Sequence, residues 1–187
     1  MYIEKPKLIK TFSELEENFA SYSVPTWEEL PDIELYMDQV ISILKKYLEM
    51  YYETIGTDKI ITSSMINNYV KLKAMPAPIK KKYSKIHIAY LIMISSLKQA
   101  LSIPTIQKIL TLYDDDTQTK ALYELFCKNQ LKAFCYITEK VCAITDPLLE
   151  EANSNPERMY DLAIQIAVSS NVFKMLSEDI TAIKHTD

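Results

Sequence analysis

Two adjacent amides and an ammonium, Asn67, Asn68 and Lys71, stand in the segment SSMINNYVK, just beyond the hydroxyls of Ser63 and Ser64. At about 100° per residue, Ser64, Asn67, Asn68 and Lys71 share one arc of a helix, while Met65, Ile66, Tyr69, Val70 and Leu72 share the other. Such a helix packs with one side and offers hydrogen-bonding groups with the other. Asparagine pairs an adenine edge through two hydrogen bonds, worth roughly 1–3 kcal/mol of discrimination between bases. Lys71 and the run Lys80, Lys81 and Lys82 suit phosphates, which fix position without carrying sequence information. Tyr69 has its ring on the apolar arc, so the core is its expected place. Tyr83 follows the lysine run and is either a further contact or the anchor of that run.

The surrounding charge is segregated. Residues 59–112 hold nine lysines and no Asp or Glu in a chain of net charge −4, so the remainder carries −13. A field kept apart in this way points to a polyanion, and duplex DNA is the expected partner. The rival is an interaction module whose basic face binds an acidic protein surface, or the chain's own residues 113–187, with thirteen acids against seven bases.

Several elements must position these side chains. Thr62 or Ser63 caps a helix expected to run to about Met75, where Pro76 stops it and Pro78 keeps the chain extended. Lys80 to Lys82 then form a short basic, hairpin-like tip. Ser84 caps a helix from Lys85 to about Ala100, apolar from Ile86 to Leu97 save mainly for His87, Ser95 and Ser96. Ser102 and Pro104 open another short one, IPTIQKIL. Upstream, Thr26 and Glu29 have capping-box spacing, and Pro31 and Asp32 open a helix expected to reach about Tyr52. The chain's single glycine, Gly56, falls in the turn that follows. A polar-faced helix, a basic tip, a buried helix and a short helix make the layout of a winged helix-turn-helix.

That order resembles the DNA-binding domain of MerR-type regulators. Their recognition helix reads T-L-R-Y-Y-E-R-x-G-L-L, their basic wing ends in R-x-Y-S, and a G-x-S-L-x-E-I turn follows. The matching segments run from Met65 to Leu72, from Lys81 to Ser84 and from Leu101 to Ile106. Asn67 stands where the family has Arg, Asn68 where it has the first Tyr, and Lys73 where it has Gly. The series WEELPDIELYMDQV, MINNYVK, PIKKKY and LKQ also resembles a bacterial family known as domain of unknown function 1836, over roughly residues 25 to 110. That resemblance implies a MerR-like fold and carries no biochemical role.

The remaining features set limits. One glycine among 187 residues argues against an all-β fold, and apolar residues recur at helical spacing throughout, so the chain is mainly α. Three divisions are expected: an arm with one short helix (1–24), a MerR-like winged helix-turn-helix domain (25–112) and an acidic helical, hairpin-like region (113–187). The last should hold helices at about 117–144, ended by Pro147, and 156–183. Their apolar residues require cover from each other, from the N-terminal half or from a second subunit. A homodimer on a two-fold operator is the expected assembly, with an effector site in that region left open.

No catalytic set is present, and the glycine count excludes a P-loop or a G-x-G-x-x-G turn. No metal site and no cofactor are expected. His87 is expected to cap or pack. Cys127, Cys135 and Cys142 lack metal or disulfide spacing and read as reduced thiols. The segment Ile86 to Leu97 is shorter than the ~20 residues of a membrane span, and no signal peptide is visible. The expectation is a cytoplasmic, non-enzymatic transcriptional regulator.

Overall fold

A computed structural model describes residues 10, 13, 14, 17, 24–49, 61–110, 116–150 and 156–183 of the chain. Among them are six helices: α1 (Met37–Tyr47), α2 (Ser63–Lys71), α3 (Lys85–Leu97), α4 (Ile103–Leu110), α5 (Asp116–Glu150) and α6 (Pro156–Ala182). Among the described residues, extended pairing is confined to two isolated antiparallel bridges, Leu35 with Tyr83 and Ile79 with Lys82. The protein is therefore mainly α. No described helix is long and apolar enough to cross a membrane.

The chain falls into two compact units: Val24–Lys128 with Ile180–Asp187, and Asn129–Asp179 with Met1–Ser23. In the first, α3 is the hub. Every residue from His87 to Ser95 is buried, so this helix has no solvent stripe. Each fully buried Leu or Ile contributes about 1.5–3 kcal/mol of transfer free energy, which makes the stretch Ile88 to Ile94 the chief source of stability here. Helix α1 packs on α2 and α3, and α4 packs on α3. The start of α5 joins the same unit, where the Tyr123 hydroxyl donates to the Pro25 carbonyl at 2.7 Å and its ring meets Trp27 edge-on at 6.0 Å.

Helix starts obey the caps in the sequence. The Thr62 hydroxyl accepts the Met65 N–H at 3.2 Å, and Ser102 does the same for Thr105 at 3.3 Å. Thr26 and Glu29 join side chain to backbone at 2.7 Å, but close only a single turn.

Five boundaries differ from expectation. Helix α1 begins at Met37 rather than near Pro31, because Leu35 gives both main-chain groups to Tyr83 (2.9 and 2.8 Å) and is held extended. The helix ends at Tyr47, where Leu48 caps it, short of the expected Tyr52; Gly56 lies outside the described residues. Helix α2 ends at Lys71, short of Met75. Lys73 turns left-handed (φ 57°) and closes a Schellman motif: Lys73 N–H reaches the Val70 carbonyl at 3.0 Å and Ala74 N–H that of Tyr69 at 2.9 Å. Helix α3 stops at Leu97, where Lys98 caps it. Helix α5 runs through Pro147 to Glu150.

Helix α6 reads differently from the core helices. Ile164, Val172, Phe173, Leu176 and Ile180 lie on one half of its circumference and are all exposed, Phe173 at 59%.

Candidate nucleic-acid interface

Helix α2 buries Ile66 and Tyr69 and turns Ser63, Ser64, Asn67, Asn68 and Lys71 to solvent. The helical arcs thus sort these side chains as their spacing requires. Tyr69 is 4% exposed, and burial raises its phenol above the usual range, so it is a core residue. Leu72, assigned to the apolar arc, is 42% exposed. It lies beyond the last helical residue, where a helical angle no longer describes the chain. Its carbonyl accepts a hydrogen bond from the Gln107 amide, which ties the end of α2 to α4.

The basic tip is a two-residue hairpin. Ile79 and Lys82 pair, with Lys82 N–H to the Ile79 carbonyl at 2.9 Å, and both central residues, Lys80 (φ 49°) and Lys81 (φ 64°), have left-handed backbone. Positive φ at both centres is the type I′ pattern, which ordinarily selects Asn-Gly. Lysine there costs roughly 1–2 kcal/mol per residue, because Cβ crowds the following carbonyl. Lys73, Lys80 and Lys81 are the positive-φ non-glycine residues among the described ones, and all are cationic.

Tyr83, open between a further contact and an anchor, is placed as the anchor, which removes it from the DNA-contacting set. Its side chain is 3% exposed and faces the core, so it moors the hairpin through Leu35 instead of offering a surface hydroxyl. Lys82 is half-exposed and ion-paired with Glu34 at 3.3 Å, and Lys85 pairs with Asp32 at 2.7 Å. Lys98 is half-buried, with its ammonium 3.8 Å from the Met65 sulfur, and burial lowers its pKa. Lys71, Lys73, Lys80 and Lys81 are exposed and form no ion pair among the described residues. Within the lysine-rich segment the open field therefore comes from α2's last turn and the hairpin tip, while Lys45 and Lys46 of α1 are exposed as well.

His87 supplies a connection that the sequence suggested only as capping. Its Nδ1 accepts the Ser84 main-chain N–H at 3.0 Å, closing a capping box at the start of α3. That fixes the tautomer: Nε2 carries the proton and donates to the Ala77 carbonyl at 3.2 Å. One ring thus joins both arms of the loop bearing the lysines. Burial lowers its pKa from the usual value, outweighing the Ala77 bond, which acts in the opposite direction.

The native state therefore favours neutral imidazole while the unfolded chain titrates near 6.5, so stability is complete above that value and declines as pH falls below it, toward the lower native pKa. The melting temperature is expected to drop between about pH 7 and 5.5. His87→Gln, which keeps the S-x-x-Q capping pattern without a titrating group, should flatten that slope. An unchanged slope would remove His87 as its cause.

Cys127 is half-buried, 3.9 Å from the Pro25 carbonyl, and burial raises its thiol pKa, which makes it a poor nucleophile; Cys135 is exposed. The Cys142 side chain lies outside the described ones.

Among known proteins, the family described as "Domain of unknown function (DUF1836)" matches residues 25–126. That is more than half of the 187 residues, and the chain belongs to this family. No curated protein and no solved structure matches it.

Proposed function

We propose that this protein is a non-enzymatic transcriptional regulator that binds duplex DNA through a MerR-like winged helix-turn-helix, as a cytoplasmic homodimer. Helix α2 enters the major groove, with Asn67 and Asn68 reading base edges. Lys71, Lys80 and Lys81 hold phosphates, Ser63 and Ser64 approach the backbone at the helix start, and Lys82 joins when Glu34 releases it.

One observation carries this reading. Lys73 stands where the MerR pattern has glycine and adopts the left-handed conformation (φ 57°) that a glycine there would supply. The two positions after it, Leu-Leu in that pattern, are Ala74 and Met75 here, and both are buried. Backbone and burial thus follow the pattern at the point of greatest departure in residue type. The unpaired lysines at strained positions add a functional argument, since such strain tends to persist where a site needs the side chain.

The test is duplex binding across a salt series. With several phosphate contacts, log affinity should fall steeply with log salt, by about 0.9 per phosphate neutralised. Lys80→Ala, Lys81→Ala and Lys82→Ala together should cut that slope by about 2–3. Asn67→Ala should instead cost about 1–3 kcal/mol on the preferred duplex and little on random sequence. Affinity independent of salt would leave the acidic-protein partner as the better account.

A further inference from the structure

We propose that Ile79 is a minor-groove wedge, entering a base step of the bound duplex while Lys80 and Lys81 hold phosphates on either side. The inference rests on the duplex-binding reading and goes beyond it, naming a groove, a residue and a deformation.

Its basis is the register of the hairpin. Leu35 lies opposite Tyr83, and Ile79 opposite Lys82, both antiparallel. Tyr36 therefore neighbours Lys82, and its ring centre is 6.0 Å from the Lys82 ammonium. Alternation then sets Tyr36, Lys82 and Ile79 in a row on one face and leaves Leu35 and Tyr83 on the buried one. Ile79 is 68% exposed, although a buried face lies one residue away along the strand.

A single exposed isoleucine ordinarily needs no explanation. This one adjoins two free ammonium groups at the end of a narrow hairpin. A cationic tip is drawn to the minor groove's negative potential, and aliphatic side chains are the ones that architectural proteins insert between base steps there. An acidic protein surface would match the charges and leave the isoleucine without a complement.

A wedge must also resist being pushed back. Four restraints stiffen this one. The Ala77 carbonyl is held by His87 at 3.2 Å, and Pro78 fixes its own φ. The Ile79 carbonyl accepts from Lys82 at 2.9 Å, and Tyr83 is bonded to Leu35 through both main-chain groups. Unstacking a base step costs a few kcal/mol, so a loosely hung side chain would yield before the duplex did.

The experiment uses the full chain and the tightest-binding duplex recovered from a random-sequence pool. An adenine analogue that fluoresces when unstacked is placed at successive steps of that duplex. The parent protein is expected to raise fluorescence at one step. Ile79→Ala should abolish that rise while leaving the salt slope intact, because the lysines remain. Ile79→Phe should retain it, and Ile33→Ala, at an equally exposed position, should leave it unchanged. A complex with a steep salt slope and no unstacked step overturns the wedge alone, as does an undiminished rise with Ile79→Ala. A pool that yields no bound duplex overturns the duplex-binding reading itself.

Discussion

Replacing Lys80 by Asn and Lys81 by Gly is expected to stabilise the protein and weaken its hold on DNA in one step. Both lysines sit at positive φ in a type I′ turn, for which Asn-Gly is the preferred pair. Relief of the crowding at two Cβ atoms is worth roughly 1–2 kcal/mol per residue, partly offset by glycine's greater freedom in the unfolded chain. A net gain of about 1–2 kcal/mol should appear as a higher urea midpoint at unchanged m value. The same change deletes two unpaired charges from the tip. The salt slope of duplex binding should become shallower by about 1.8, which compounds into a large loss of affinity at physiological salt. A shallower slope in a variant that has gained stability cannot be put down to unfolding, so it reports the lost phosphate contacts directly. A more stable variant binding with the parent's slope would mean that the tip does not touch phosphate.

The second large effect concerns α6. Helix α6 exposes Val172, Phe173 and Leu176 together with Ile164 and Ile180 on one half of its circumference, with Ser170, Lys174, Ser177 and Thr181 on the other, so its apolar side is without cover among the described residues. Covering such a helix against a second copy would bury apolar surface of the order of the ~800 Å² per partner found in stable complexes. Val172→Glu, Phe173→Glu and Leu176→Glu together should convert a dimer into monomers, measured by light scattering during size-exclusion chromatography. On a two-fold operator, loss of the linked second site should weaken binding by about 10²–10⁴-fold, with the contacts of each α2 unchanged. A parent protein that is monomeric at micromolar concentration would rule out the arrangement.

Much of the fold was legible because its signals are local. The apolar run around Ile88 to Ile94 marked a buried helix, and Thr62, Ser84 and Ser102 marked helix starts. The exposed amides of α2 were legible too, since rotation per residue is constant along a helix. That regularity fails at its end, which is why Leu72 was misassigned and why the left-handed turn at Lys73 went unread. Its usual sign is glycine, and the residue there is lysine. The pairing of Leu35 with Tyr83 joins residues 48 positions apart through one bridge, too short to leave alternating hydrophobicity. It moved the start of α1, and it decided between the two roles open to Tyr83 in favour of the buried mooring. The exposed row of Tyr36 and Ile79 was hidden for the same reason, since it exists only once that register is set.

The two main-chain bonds between Leu35 and Tyr83 also bear on where the chain can be cut. A fragment opening at Met37 would keep every described helix of the first unit, yet its lysine loop would lose the ledge against which it lies. The amides of Leu35 and Tyr83 lie forty-eight positions apart but share one fate, because neither bond survives without the other strand. The stretch from Val24 to Tyr36, without a helix of its own, thereby governs the pose of the loop as firmly as the residues inside it do.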